Sequence, residues 1–280
     1  MKKIILVCLT LMCLLGLQTN AQSVLWKVSG KGLEKPSYLF GTIHMLCAGD
    51  FEIKPKVKAA LEAADTYVAE TDIQSTEARK IMQIATLSNE PQSKRLPAAT
   101  YKEVDSILMK HLKIPLEKLD NFTLSTIYSI LIMSTYKCTE LKQYETELLK
   151  IAIGKQIKMD TLESVAAQVQ FLNKSYNDEY AIAQIRAVDD YSHILSTLVS
   201  SYKSEDFKRL YADITAEKFM DKNSKHWLLH VRNENWAKKM PAMMQKGSNF
   251  FAVGTAHLGG EDGLIKLLQN QGYTVEPILN

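Results

Sequence analysis

The chain has 280 residues, 46% of them hydrophobic and 23% charged, a balance that excludes a disordered chain or a membrane bundle and fits one or two globular domains. Its 34 Lys and Arg stand against 31 Asp and Glu. Without a basic stripe to neutralise phosphates, nucleic acid is not an expected partner.

In chain order, the short positive end Met1-Lys2-Lys3, the apolar run Ile4 to Leu17 and the small-residue site Thr19-Asn20-Ala21 predict an export signal over residues 1–21. The apolar run is shorter than the roughly 20 residues a bilayer helix takes, so no stable transmembrane segment is expected after cleavage and the destination is periplasmic or secreted. Residues 22–280 are then expected to form a single domain. Two cysteines remain, Cys47 and Cys138. In an oxidising compartment they are expected to pair, and neither has the CxxC spacing of a zinc site.

Ser37 to His44 reads as a strand, Lys54 to Asp65 as a helix with Val57, Ala60, Leu61 and Ala64 on one face, and Thr66 to Glu70 as a second strand. Together they predict a βαβ unit with parallel strands. After a polar connection over residues 87–100, helices are expected over 101–112 and 122–136. The second is apolar nearly all round, which predicts burial. Gln156 to Leu162 reads as an inner strand ending at Glu163, and further helices are marked by Val188 to Tyr202, Phe207 to Ile214 and a segment near 225–245. Asn249 to His257 repeats the opening pattern, ahead of a glycine-rich turn, a helix with Leu264, Leu267 and Leu268 on one face, and a closing strand over 273–278. The fold class is α/β, a central, mostly parallel β-sheet formed by the N- and C-terminal segments with a large helical insertion or cover over about 100–245.

Open parallel sheets bind ligands beyond the carboxyl ends of their strands. Those ends carry His44, Glu70, Glu163 and His257, and two imidazoles with one or two carboxylates suit a divalent ion such as Mn, Co or Zn. Gly41 and Gly254, three residues before each histidine, allow a neighbouring backbone or a ligand to approach closely. In the 225–245 helix, Arg232 and Asn233 fall on the apolar stripe of Leu229, Trp236, Met240 and Met243. A guanidinium there is either paired with a carboxylate or facing a ligand. His226 and His230 have metal-ligand spacing, but Trp227 stands where the zincin glutamate belongs, which makes a packed or solvated pair the better reading.

The segments Phe40-Gly41-Thr42-Ile43-His44, Val68-Ala69-Glu70-Thr71-Asp72, Leu162-Glu163 with Gln168, Arg232-Asn233 with Trp236, and Val253-Gly254-Thr255-Ala256-His257-Leu258 together resemble the TraB/GumN family, which includes the animal Tiki proteases. The resemblance runs over essentially the whole mature chain. It implies a Tiki-like, metal-dependent hydrolase with His44, His257 and Glu70 at the metal. Glu70 would complete the coordination or act as base, Arg232 would stabilise an oxyanion, and Asn233 and Glu163 would stand beside them. The family's fold relatives include haem-iron-binding proteins, so a non-catalytic haem, iron or peptide binder is the alternative.

Overall fold

The computed structural model describes residues 22–72 and 74–279. The export signal expected over 1–21 lies outside them. Among the described residues no helix is long and apolar enough to cross a membrane.

The front of the chain contributes β1 (Leu25–Ser29), β2 (Ser37–Thr42), the short β3 (Leu46–Cys47), α1 (Pro55–Ala63) and β4 (Thr66–Ala69). A long excursion follows through α2 (Thr76–Ala85), α3 (Gln92–Arg95), α4 (Ala98–His111), α5 (Leu124–Met133), β5 (Leu141–Lys142), α6 (Tyr144–Gly154) and β6 (Lys158–Thr161). It continues through α7 (Val165–Ser175), α8 (Asp178–Arg186), α9 (Val188–Lys203), α10 (Phe207–Ile214), α11 (Lys222–Lys225), a π-helical segment (His226–His230) and α12 (Val231–Met244). The chain closes with β7 (Asn249–Gly254), a 3-10 turn (Thr255–His257), α13 (Leu264–Asn270) and β8 (Thr274–Pro277).

The six-stranded sheet has the order β6-β4-β7-β2-β1-β8. Its first four strands are parallel, and β1 runs antiparallel to both of its neighbours. The fold is thus the expected mostly parallel α/β sheet with a helical cover. The strands of the predicted βαβ unit, β2 and β4, are parallel but not adjacent, because β7 lies between them and pairs with both. Its sequence explains the position: Phe250 and Phe251 point to opposite faces and both are fully buried, as a central strand covered on two sides requires. One face packs Phe40, Tyr67 and Phe250 against Leu61 of α1 and Tyr144 and Leu148 of α6. The other packs Leu39, Val68 and Phe251 against Trp236 and Met240 of α12 and Leu264 and Leu268 of α13.

Two expectations are corrected. The strand expected inside the sheet near residues 156–162 is β6, an edge strand with exposed side chains, because Lys158, Asp160 and Thr161 are too polar for a covered position. The helix expected to be buried all round, α5, buries only Leu124, Ile127, Tyr128 and Leu131, packed with Leu108 of α4 and Ile185 of α8 in a separate helical core. Met133 at its end is 48% exposed. The two cysteines do pair: Cys47 and Cys138 are disulfide-bonded with Cα atoms 5.9 Å apart. The bond joins β3, just after His44, to the segment leading into β5, its antiparallel partner.

Candidate active site

The carboxyl ends of the four parallel strands converge on one place. His44 lies two residues beyond β2, Glu70 immediately follows β4, Glu163 lies two residues beyond β6, and His257 ends the 3-10 turn after β7. Ser164 caps α7 by accepting from the Ala167 N–H, so Glu163, one residue before the cap, has its carboxylate free of capping duty. Glu70 likewise caps no helix.

Gly254 is the hub. A Cβ built on it would lie 3.5 Å from Glu70 Oε1, 3.6 Å from His257 Cδ2 and 3.8 Å from His44 Cε1, so the two repeated histidines share one cleft. The Gly254 N–H also donates to Glu70 Oε1 at 2.8 Å. Gly41 serves packing instead: a Cβ there would meet Thr255 Oγ1 at 2.9 Å and Thr255 Cα at 3.1 Å, because the turn carrying His257 rests on it.

Arg232, only 6% exposed, organises the floor with all three of its nitrogens. Nε donates to Glu163 Oε1 at 3.0 Å, Nη2 to Glu70 Oε2 at 2.6 Å, and Nη1 to the Leu228 carbonyl at 3.2 Å and to His257 Nε2 at 3.1 Å. The guanidinium also lies over the Trp236 ring, 4.6 Å from its centroid. Because a guanidinium has no lone pair to offer, His257 Nε2 must be the acceptor. The proton is therefore on Nδ1, which donates to Asn233 Oδ1 at 2.7 Å. The Asn233 amide is oriented in turn by donating to the Asp262 carbonyl at 2.8 Å.

These contacts set the protonation states. Burial, aided by the Arg232 charge, pushes His257 down to about 3 and keeps it neutral. Burial, the largest single influence, would raise Glu70, but Arg232 together with the two histidines and the Gly254 N–H outweighs it, and the carboxyl is held down to about 2. Glu163 goes the other way, since burial outweighs its ion pair with the same guanidinium and raises it. The one guanidinium lowers both carboxyls, and their acidities part because burial prevails at Glu163 and is outweighed at Glu70. On the opposite wall, His44 Nδ1 is 3.2 Å from Glu145 Oε1, a contact that raises the imidazole above its ordinary value. The His44 side chain is 74% exposed, so water screens much of that pairing.

Glu145, in the first turn of α6, has no place among the expected site residues. It accepts from the Thr42 hydroxyl at 2.8 Å as well as facing His44. The spacing of Tyr144, Leu148 and Ala152, all buried, marks the helix that carries it, but nothing local to Glu145 reveals its partner 101 residues away. Trp236 and Gln168 also reach the carboxylates: Trp236 Nε1 donates to Glu163 Oε2 at 3.2 Å and Gln168 Nε2 to Glu70 Oε2 at 3.3 Å. His226 and His230 stay apart from the cleft, His230 facing Asp262 at 3.3 Å.

Two cavities meet at His44, Met45, Glu70 and Gln168. One, about 550 Å³, runs beneath the helical cover past Arg232 and His257 and is walled mainly by apolar side chains such as Ile132, Phe171, Leu195 and Leu228. The other, about 840 Å³, opens beside β4 and β6.

The donor set suits a divalent cation in kind. His44 has Nδ1 engaged by Glu145 and Nε2 left for a ligand, whereas His257 has Nδ1 engaged by Asn233 and Nε2 by Arg232, so an ion there would replace the guanidinium contact. The carboxylates of Glu70, Glu145 and Glu163 outnumber that single guanidinium. Among the described residues, however, no three His, Cys, Asp or Glu side chains form a ready metal-holding group.

A model of the TraB/PrgY/gumN family matches residues 24–277. The chain belongs to the TraB/PrgY/gumN family. It is also similar to "Metalloprotease TIKI2" of Danio rerio, 21% identical over 325 aligned residues that cover 92% of this chain and 61% of that protein. This family member therefore spans less than two thirds of that relative's length. No solved structure matches the chain.

Proposed function

We propose that this member of the TraB/PrgY/gumN family is an exported, metal-dependent hydrolase of peptidase type. One observation carries the reading: both Gly-x-x-His histidines and Glu70 surround Gly254 at the mouth of a substrate-sized cleft. The similarity to a metalloprotease points the same way, and the Cys47–Cys138 bond fits a periplasmic or secreted location.

In this reading His44, His257 and Glu70 hold the ion, which is Mn, Co or Zn. When bound, it supplies a Lewis acid and activates water near neutral pH. Asn233 fixes the His257 tautomer that carries its lone pair on Nε2, which the ion would take over from Arg232 Nη1, and Glu145 orients His44 through Nδ1. Glu70, held near 2 by Arg232, the two histidines and the Gly254 N–H against the opposing effect of burial, is too weak a base to remove a proton at neutral pH, which favours a ligand role over that of general base. Arg232 spends its nitrogens on Glu70, Glu163, Leu228 and His257. It therefore serves as a positioning residue for the carboxylates rather than as a donor to an oxyanion.

The test is elemental analysis of the purified protein alongside mass-spectrometric screening of a peptide library. One equivalent of divalent metal and metal-dependent cleavage are expected, both absent from a folded His44→Ala/His257→Ala variant. Full turnover in chelator-treated protein would overturn the mechanism. A haem absorption band without any cleavage would favour the binding reading instead.

A further inference from the structure

The larger of the two cavities is unlike the apolar one in its chemistry. Its wall contains four carboxylates and no lysine or arginine among its described residues. Glu70 is paired with Arg232 and Glu145 with His44, which leaves Asp72 and Asp160 as the wall carboxylates without a cation at ion-pair distance among the described residues. Met82, Leu149 and Met159 supply apolar surface between them. Tyr67, on β4, is a further wall residue. It is 2% exposed, and its buried hydroxyl has no hydrogen-bond partner. Tyr67 packs in one cluster with Leu149 of α6, so its ring stands on the side of the sheet where this cavity opens. A buried hydroxyl without a partner is costly, and a ligand donor or acceptor would satisfy it.

Resting on the hydrolase reading of the cleft, we propose that the cavity of about 840 Å³ beside Glu70 is the substrate subsite for a basic side chain, lysine or arginine. Long cationic side chains combine an apolar stem with a charged head. The stem has Met82, Leu149 and Met159 to lie on, and the head has the carboxylates of Asp72 and Asp160 and the Tyr67 oxygen to meet. An acidic side chain would be repelled by the same wall, and a purely apolar one would leave the Tyr67 hydroxyl unpaired. The cavity shares His44 and Glu70 with the centre of the site, so a residue seated there places the adjoining backbone at those groups.

The test needs no turnover. Met82 and Met159 line this cavity alone, whereas Met220 lines only the apolar one. In protein carrying 13C-methyl methionine, titration with Nα-acetyl-arginine amide is expected to shift the Met82 and Met159 methyl resonances and leave Met220 in place. The citrulline analogue, equal in shape but uncharged, is expected to bind about tenfold more weakly, as loss of a charge-assisted hydrogen bond implies. Tyr67→Phe, which removes an oxygen without a protein partner, should weaken the arginine compound several-fold. Equal binding of the two compounds, shifts at Met220 in place of Met82 and Met159, or no shift at all would overturn the subsite. Cleavage activity without these shifts would sink the subsite alone, and the shifts without any cleavage would sink only the hydrolase reading.

Discussion

The two glycines that precede the repeated histidines look equivalent but serve different ends. At Gly41 an added methyl would press on Thr255 at 2.9 and 3.1 Å, and overpacking of this kind costs about 1–3 kcal/mol. At Gly254 the nearest atoms lie at ordinary contact distance, 3.5 Å or more, and the backbone angles of φ −55 and ψ 137 suit any residue. Gly41→Ala is therefore expected to lower the melting temperature. Gly254→Ala should leave it unchanged and reduce turnover by obstructing the space among Glu70, His257 and His44, so calorimetry and a peptide-cleavage assay on both variants separate the roles. Asn233 acts through His257, and its removal frees Nδ1 to take the wrong tautomer. Asn233→Ala should cost about 10–100-fold in metal affinity, the usual effect of losing such an orienting partner. Asn233→Asp, which keeps an acceptor at Nδ1, should recover part of the loss, and competition with a chelator reads both.

At the scale of elements, the catalytic proposal depends on two short segments being held together. His44 and Glu145 belong to parts of the chain far apart in sequence, and each lies close to one half of the β3–β5 pair that the Cys47–Cys138 bond clamps. The bond spans 91 residues, so its loss is worth about 4.6 kcal/mol in the chain-entropy account. The Cys47→Ala/Cys138→Ala variant should unfold at correspondingly lower denaturant. Where it remains folded it should bind metal more weakly, because the histidine loses its fixed carboxylate. The edge position of β6 belongs to the same scale: its polar residues leave that side of the sheet exposed, and Asp160 caps the Thr161 N–H with its own side chain at 2.7 Å. Such self-capping limits unwanted strand pairing at a free edge.

For the whole molecule, the buried charge network makes stability depend on pH. His257 is held down to about 3 from an ordinary 6.5, so below 6.5 the unfolded chain binds a proton that the folded chain refuses. Its contribution is complete above about pH 6.5 and is lost as the pH falls toward 3. Glu70, held to about 2 from 4.5, adds a loss of the same sign at lower pH. Glu163, raised by burial, opposes them, because its contribution is present below 4.5 and fades as the pH rises through its folded value. Chelator-treated protein should therefore lose stability on acidification from pH 6.5, and a folded His257→Gln variant should lose less over that range. Denaturant titrations at a series of pH values read the difference; an unchanged slope in the variant would rule out His257 as the source.

Much of this molecule was legible in order along the chain. Periodicity placed β2, α1, β4, β7 and α13, and the repeated Gly-x-x-His pattern located His44 and His257 because strand ends and turns leave local signatures. The amphipathic stripe of α12 singled out Arg232 and Asn233, since a guanidinium among buried side chains demands partners whatever the fold. Those partners, and the tautomer they impose on His257, were decided only by tertiary structure. So were the insertion of β7 between β2 and β4, the edge position of β6, the approach of Glu145 to His44 and the orphaned hydroxyl of Tyr67. Local sequence encodes a residue's preference for helix, strand or burial, whereas which atoms meet across a hundred residues depends on how whole elements pack. Electrostatic character follows from those meetings, because burial and neighbouring charges arise only once the chain has closed around them.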